Sequence, residues 1–135
     1  MNETWVQWKP VEGLAPKYNI DSLVDTINTF TIILSVMNNP QKCLEVYFDS
    51  GVNAYRLTKG VYWRNSLHKL DKNYGKDFYE KWTFFKVENS SYLSWLSKES
   101  FGISDSRNFV HFAFLAVNSI LEIIAHDDAR INVAN

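Results

Sequence analysis

The chain has 135 residues, of which 46% are hydrophobic and 21% are charged, and it carries a net charge of −1. This composition excludes a disordered chain, and the length fits one globular domain over residues 1–135 with an ordinary core. Seven basic and three acidic residues lie between Lys59 and Lys86. Basic charge this diluted does not form the clustered stripe of a nucleic-acid-binding protein, so we expect no nucleic-acid partner.

The first 60 residues predict a short strand, a helix and a meander. Residues 5–9 alternate as a short edge strand does. A helix is predicted over 19–28 because apolar residues recur there at the spacing i, i+3, i+4, i+7, in Ile20, Leu23, Val24 and Ile27. Three antiparallel strands, 30–37, 43–49 and 52–58, are predicted to form the meander.

The remaining residues predict further helices and strands. Residues 109–117 are apolar on both faces, as in a central strand that is covered on both sides or by a helix on one. The other predicted elements are a helix over 61–72, a helical turn at 77–80, a strand over 82–87, a short helix capped by Ser90 or Ser91, a strand over 120–125, and a tail or edge strand over 129–135. The sum is an α+β fold, a mostly antiparallel sheet of about six strands with two or three helices packed on it.

The chain contains one cysteine, Cys43, which excludes an internal disulfide. Its first residues lack the basic and apolar segments of a secretory signal. No apolar run approaches the ~20 residues that a membrane-spanning helix needs. These observations predict a cytoplasmic protein without a membrane partner.

The titratable residues form no recognisable catalytic or metal-binding motif. The three histidines are far apart, one cysteine is too few for a zinc knuckle, and there is no Gly-x-Ser-x-Gly nucleophile elbow. We therefore expect no enzyme activity, no metal and no cofactor. His111 alternates with apolar neighbours, which favours a packed, hydrogen-bonded histidine over a catalytic one.

Six segments carry a family pattern, and they are YFD at 47–49, AYRLT at 54–58, WTFFKVENS at 82–90, YLSWL at 92–96, HF at 111–112 and ILEIIA at 120–125. Over residues 43–125 this pattern resembles the small bacterial immunity proteins of contact-dependent or polymorphic toxin systems. Such proteins bind and neutralise the toxic C-terminal domain of a cognate effector. The resemblance therefore implies a non-catalytic module with a protein partner. Lys59 stands where those proteins often carry an acidic residue, and no site residue is carried over.

An acidic surface is the predicted contact with such a partner. If the toxin is a nuclease, its active site is basic, and an acidic patch on the immunity protein complements it. The predicted patch combines one strand face with the end of the last strand, in Glu45, Tyr47, Asp49, Glu122, Asp127 and Asp128.

Two other functions stay open at this point. A small-ligand-binding protein or an enzyme would have a pocket between the sheet and the helices, formed by His111, Tyr55 and Arg56. A structural subunit of a larger assembly would instead dock on its neighbour through exposed Trp5 and Trp8.

Overall fold

The computed structural model describes residues 3–126 and 128–134, which form two β-sheets and three α-helices. The strands are β1 (Thr4–Gln7), β2 (Tyr18–Asp25), β3 (Phe30–Val36), β4 (Asn39–Phe48), β5 (Ala54–Lys59), β6 (Phe84–Glu88), β7 (Val110–Ala116), β8 (Ser119–Ala125) and β9 (Arg130–Ala134). The α-helices are α1 (Arg64–Tyr74), α2 (Phe78–Lys81) and α3 (Ser91–Glu99), and short 3₁₀ helices span Gly60–Trp63 and Ile103–Ser106.

Both sheets are antiparallel. One has five strands in the order β1-β6-β7-β8-β5, and the other has four in the order β2-β3-β4-β9. The predicted α+β class with antiparallel strands is confirmed. The predicted number of about six strands is too low, since the described residues form nine.

The five-stranded sheet is the middle of three layers. One of its faces packs on the four-stranded sheet, and Phe30 of β3 shares that core with Phe112 of β7. Its other face lies under the helices, where Leu70 of α1 shares a second core with Leu115 of β7. β7 is therefore buried on both faces, which confirms the predicted central strand. Its unbroken apolar sequence needs such a two-sided environment.

The predicted helix over 19–28 is wrong, because these residues form most of β2 and the turn after it. A β-bulge follows Ile20, where the register against β3 shifts. The bulge places Ile20 opposite Leu34 and Leu23 opposite Ile32, on one face although they are three residues apart. The strand thereby reproduces an apolar spacing that is normally helical.

The predicted meander over 30–58 is correct for β3 and β4 and wrong for its third strand. After β4 the chain crosses to the other sheet, where β5 pairs with β8. In the crossing turn, a Cβ atom at Gly51 would lie 2.6 Å from the carbonyl oxygen of Ile27. Gly51 also has a φ of 75°, so both the space and the backbone conformation require glycine.

The helices of the second half form where the sequence predicts them. α1 ends before Gly75, which has a φ of 100°. α3 is capped by Ser90, whose Oγ accepts a hydrogen bond from the Leu93 amide at 3.0 Å. Residues 130–134 form the edge strand β9. Local signals, namely caps and breakers, were sufficient for these elements.

Trp8 is buried in the core, and Trp5 is half-buried and packs against the second core. The Trp8 ring is buried between the sheets, with its centroid 5.0 Å from that of Phe112. The Trp5 ring lies 5.4 Å from that of Phe85. The hypothesis of a structural subunit assumed that both tryptophans are exposed, and this assumption is wrong for Trp8, whereas Trp5 keeps part of its surface exposed. Their aromatic area stabilises the core instead.

Lys17 is a buried lysine whose amine lies among backbone carbonyl groups. Its Nζ donates hydrogen bonds to the carbonyl oxygens of Tyr79, Trp82 and Leu115, and it lies 3.9 Å from the centre of the Tyr79 ring. Burial lowers the pKa of Lys17 to about 7, although the Glu80 carboxylate raises it. Three carbonyl acceptors match the three N–H donors of an ammonium group, so this cage satisfies the buried side chain.

Candidate functional site

Three of the predicted acidic-patch residues share the outer face of the four-stranded sheet, and we call Glu45, Tyr47 and Asp49 the β4 face. Arg130 of β9 donates a 2.6 Å hydrogen bond to Asp49 and lies 5.1 Å from the centre of the Tyr47 ring. Asn132 donates to Glu45 at 2.9 Å. Every member of the β4 face therefore has a partner on β9, and the Asp49 charge is already compensated.

The other predicted patch residues lie elsewhere. Glu122 is on β8, on the side of the five-stranded sheet that faces the helices, and it is nearly buried. Asp128 is exposed and forms a 3.0 Å ion pair with Lys86. Asp127 is outside the described residues. The structure thus joins Glu45, Tyr47 and Asp49 in one surface, and Glu122 belongs to a different one.

Glu122 lies at the centre of a chain of polar groups, the Glu122 network of Arg56, Glu122, His111 and Ser90. Arg56 Nε donates to Glu122 Oε2 at 2.5 Å, and His111 Nε2 lies 3.2 Å from Oε1, at an angle outside hydrogen-bond geometry. On its other side, His111 Nδ1 is 2.6 Å from Ser90 Oγ. His111 is 1% exposed, which confirms the prediction of a packed, hydrogen-bonded histidine.

Opposing effects set the charge of Glu122. Burial raises the pKa of its carboxyl, whereas His111 and Arg56 lower it, and the resulting pKa is below the usual value. Glu122 is therefore ionised at neutral pH and holds the Arg56 guanidinium as its counter-ion. The other end of the network is also constrained, because Ser90 Oγ accepts from the Leu93 amide and caps α3.

The network opens into a polar cleft of about 780 Å³ between α1, α3 and the five-stranded sheet. Arg56 reaches it with its guanidinium carbon 4.1 Å from the centre of the Tyr92 ring. The lining residues are Glu3, Trp5, Arg56, Ser66, Lys69, Leu70, Lys72, Asn73, Tyr74, Ser91, Ile120 and Glu122. This concave site lies where the ligand-binding alternative places its pocket.

Only one of the three residues predicted for that pocket lines it. Arg56 does, whereas His111 lies behind Glu122, and Tyr55 packs on Phe30 with ring centroids 4.8 Å apart. The Ser90–His111–Glu122 arrangement has the residue types of a nucleophilic triad. Ser90, however, is 4% exposed and does not line the cleft, and its hydroxyl caps α3. Ser90 is therefore placed to hold the buried end of the Glu122 network, which supports Arg56, rather than to attack a substrate in the cleft.

Sequence reasoning missed a second surface, at the end of α3. The amide of Gly102 donates to Ser97 O at 2.7 Å and that of Phe101 to Lys98 O at 3.2 Å, which is the Schellman arrangement. Phe101 occupies its left-handed position with a φ of 52° and is 96% exposed. Glycine is usual at that position, and in this chain the glycine, Gly102, comes one residue later. This offset of the glycine was the signal in the sequence that could have identified Phe101 as an exposed residue in a strained turn.

Ile27 repeats this combination in the turn between β2 and β3. It has a φ of 76° and is 85% exposed, although β-branched residues rarely adopt positive φ. The two turns lie at the same end of the molecule, because the backbone at Gly51 closely approaches the carbonyl oxygen of Ile27, and Gly51 also lines a shallow groove of about 710 Å³ with Ile103. We call Ile27, Phe101 and Ile103 the turn surface.

The chain matches no protein-family model, and no curated protein or solved structure is significantly similar to it. Its class therefore follows from the fold alone, an α+β protein of two stacked antiparallel sheets with one helical layer. Within the described part of the chain, none of the helices combines the length and the apolar character that a membrane span requires.

Proposed function

We propose that this chain is a non-catalytic protein-binding module and that it binds its partner through the turn surface. The observation that carries this proposal is Phe101, which combines a left-handed backbone with a fully exposed aromatic ring. Residues in sparsely populated backbone regions concentrate at functional sites. Aromatic side chains are also preferred anchors at protein interfaces.

Both features of Phe101 are unfavourable in the free protein. A left-handed conformation costs a non-glycine residue about 1–2 kcal/mol. Exposure also forgoes the roughly 1.5–3 kcal/mol that burying such a ring contributes. A partner pocket that receives Phe101 would recover the second quantity, and burying the exposed Ile27 and Ile103 as well would enlarge the buried area.

The resemblance to immunity proteins supports a more specific proposal. The partner is then the toxic C-terminal domain of a cognate effector, and binding neutralises it. The β4 face stays a predicted second contact, although its pairing with Arg130 reduces the charge available to attract a basic partner. In this proposal, apolar anchoring at the turn surface dominates the affinity, and charge adjusts the association rate.

The test is a pull-down of the tagged protein from its source cells, with Phe101→Ser compared against Tyr62→Ser. Tyr62 is a matched control, since it is 86% exposed but lies in the Gly60–Trp63 helix, away from the turn surface. We expect a stoichiometric protein partner that Phe101→Ser loses and Tyr62→Ser retains. Equal retention by both variants contradicts the turn surface, and a partner without toxic activity contradicts the immunity proposal.

The polar cleft favours a second candidate function, the binding of a small ligand. Its volume is within the usual range for ligand sites, roughly 300–1,000 Å³. It is on the helical side of the five-stranded sheet, and binding there does not require the turn surface. The two candidates are therefore compatible.

A further inference from the structure

We propose that the polar cleft binds a small organic oxyanion, a carboxylate or a phosphate monoester, with Arg56 as its principal anchor. This inference rests on the second candidate function, for which it names the ligand class, and it is independent of the protein-binding proposal. It rests on three properties of the cleft, which are the fixed orientation of Arg56, the cations on the facing wall, and the apolar floor.

Arg56 is held in one orientation and keeps donors free. Its Nε is engaged by Glu122, and one face of its guanidinium is covered by Tyr92. Neither terminal nitrogen, Nη1 nor Nη2, has a hydrogen-bond partner within residues 3–126 and 128–134. Guanidinium N–H groups in a planar fork match the two oxygens of a carboxylate or phosphate. The free donors of Arg56 therefore form a preorganised oxyanion site.

The buried part of the Glu122 network is the support for that site. Glu122 lies 3.2 Å from the buried ring of His111, which contacts Ser90 at the start of α3. A chain of buried polar groups is weak evidence for stability, since well-packed apolar residues would often serve as well. Such a chain does keep a binding side chain within the narrow geometry that recognition needs. We infer that the network serves to keep Arg56 in a fixed orientation.

The charges in the cleft favour an anion. Lys69 and Lys72 lie on the α1 wall, and neither forms an ion pair with any residue of the described ranges. Glu122 compensates Arg56, and one oxygen of Glu3 accepts from the amide and hydroxyl of Ser91, at 2.7 and 2.8 Å, while its carboxylate keeps its charge near Arg56. Three cations against two carboxylates leave an excess of one positive charge in the lining.

The remaining lining determines the rest of the ligand. Trp5, Leu70 and Ile120 form an apolar part of the lining beside the charged groups. A ligand that uses both parts carries its anionic group at one end and an apolar or aromatic body at the other. Inorganic phosphate alone would leave the apolar part unused, so an aryl or alkyl anion should bind more tightly.

The experiment is isothermal titration calorimetry with phenyl phosphate and benzoate, each against inorganic phosphate. We expect saturable binding at one site for at least one aromatic anion, tighter than for inorganic phosphate. Phenyl phosphate binding more tightly than benzoate assigns the site to phosphate monoesters, and the reverse order assigns it to carboxylates. The absence of saturable binding by both aromatic anions at millimolar concentration overturns the proposal.

Variants locate the site without depending on a disrupted fold. The exposed double variant Lys69→Gln/Lys72→Gln should weaken binding about 3- to 10-fold, whereas Lys81→Gln/Lys98→Gln, outside the cleft, should not. Arg56→Lys keeps the charge but loses the fork, and it should weaken binding at least as much. Glu3→Gln removes an opposing charge and should strengthen binding about 2- to 5-fold. Unchanged affinity in both Arg56→Lys and Lys69→Gln/Lys72→Gln overturns the assignment.

Discussion

On the outer face of the four-stranded sheet, Asp49 pairs with Arg130 in contact with solvent, whereas beneath the helices the nearly buried Glu122 pairs with the half-exposed Arg56. The two ion pairs have nearly the same length, 2.6 and 2.5 Å. They differ in environment, since solvent screens the first and burial strengthens the second. Equal length therefore does not mean equal energy, and the partly buried pair holds its arginine more firmly than the exposed pair does.

The largest expected effect is on the Glu122 network. Glu122→Gln should lower the free energy of unfolding by about 1.5–2.5 kcal/mol, because Arg56 loses its counter-ion and His111 loses a carboxylate neighbour. Because Arg56 is half exposed, we expect less than for a fully buried pair. Urea denaturation at pH 7 measures this loss. The pKa of Glu122 lies below its usual value, so the loss should shrink at acid pH as wild-type Glu122 protonates.

Lys17 extends the comparison of buried and exposed charges to a buried amine, whose hydrogen-bond acceptors are carbonyl oxygens rather than a carboxylate. Its pKa is lowered from 10.5 to about 7 by burial. Between these values the unfolded chain binds more protons than the folded one, so stability should rise with pH, by about 1 kcal/mol per unit near pH 8. Urea denaturation at pH 7.5 and 8.5 measures the rise. Lys17→Met should be less stable overall and should lack this rise of stability with pH. Parallel curves of unfolding free energy against pH for the wild type and Lys17→Met would contradict the expectation.

A smaller effect, of opposite sign, is expected at the turn surface. Phe101→Gly should raise the free energy of unfolding by about 0.5–1 kcal/mol, because glycine adopts the left-handed position without strain. Tyr62→Gly is the matched control and should lower it by a similar amount, since Tyr62 lies within a helical turn. Thermal unfolding distinguishes the two signs. A loss of stability in Phe101→Gly would show that the ring stabilises the free protein.

The smallest effect is expected on the β4 face. Asp49→Asn should change the free energy of unfolding by less than about 0.5 kcal/mol, the usual contribution of an exposed ion pair. The same urea denaturation, run beside Glu122→Gln, measures the contrast directly. A change at Asp49 as large as that at Glu122 would remove the distinction between the two faces.

Prediction from sequence succeeded where local signals and tertiary structure agree. A serine cap, Ser90 or Ser91, before an apolar turn predicted α3, and the two-sided apolar run of β7 predicted a central strand. It failed at β2, where a bulge after Ile20 turned an alternating pattern into a helical one. The binding surfaces were harder to predict. The acidic patch assumed that residues close to the last strand share a face, and Glu122 points to the opposite layer.

The sequence by itself determined the α+β class, most element boundaries of the second half, and the packing of His111, because apolar periodicity and capping residues act within a few positions of the chain. Tertiary structure alone decided which sheet each strand joins. It also decided which groups meet around Glu122, since Arg56 is 66 positions away and Ser90 lies 21 positions before His111. Periodicity specifies which face of an element is buried. What covers that face depends on long-range pairing, and no local pattern encodes it.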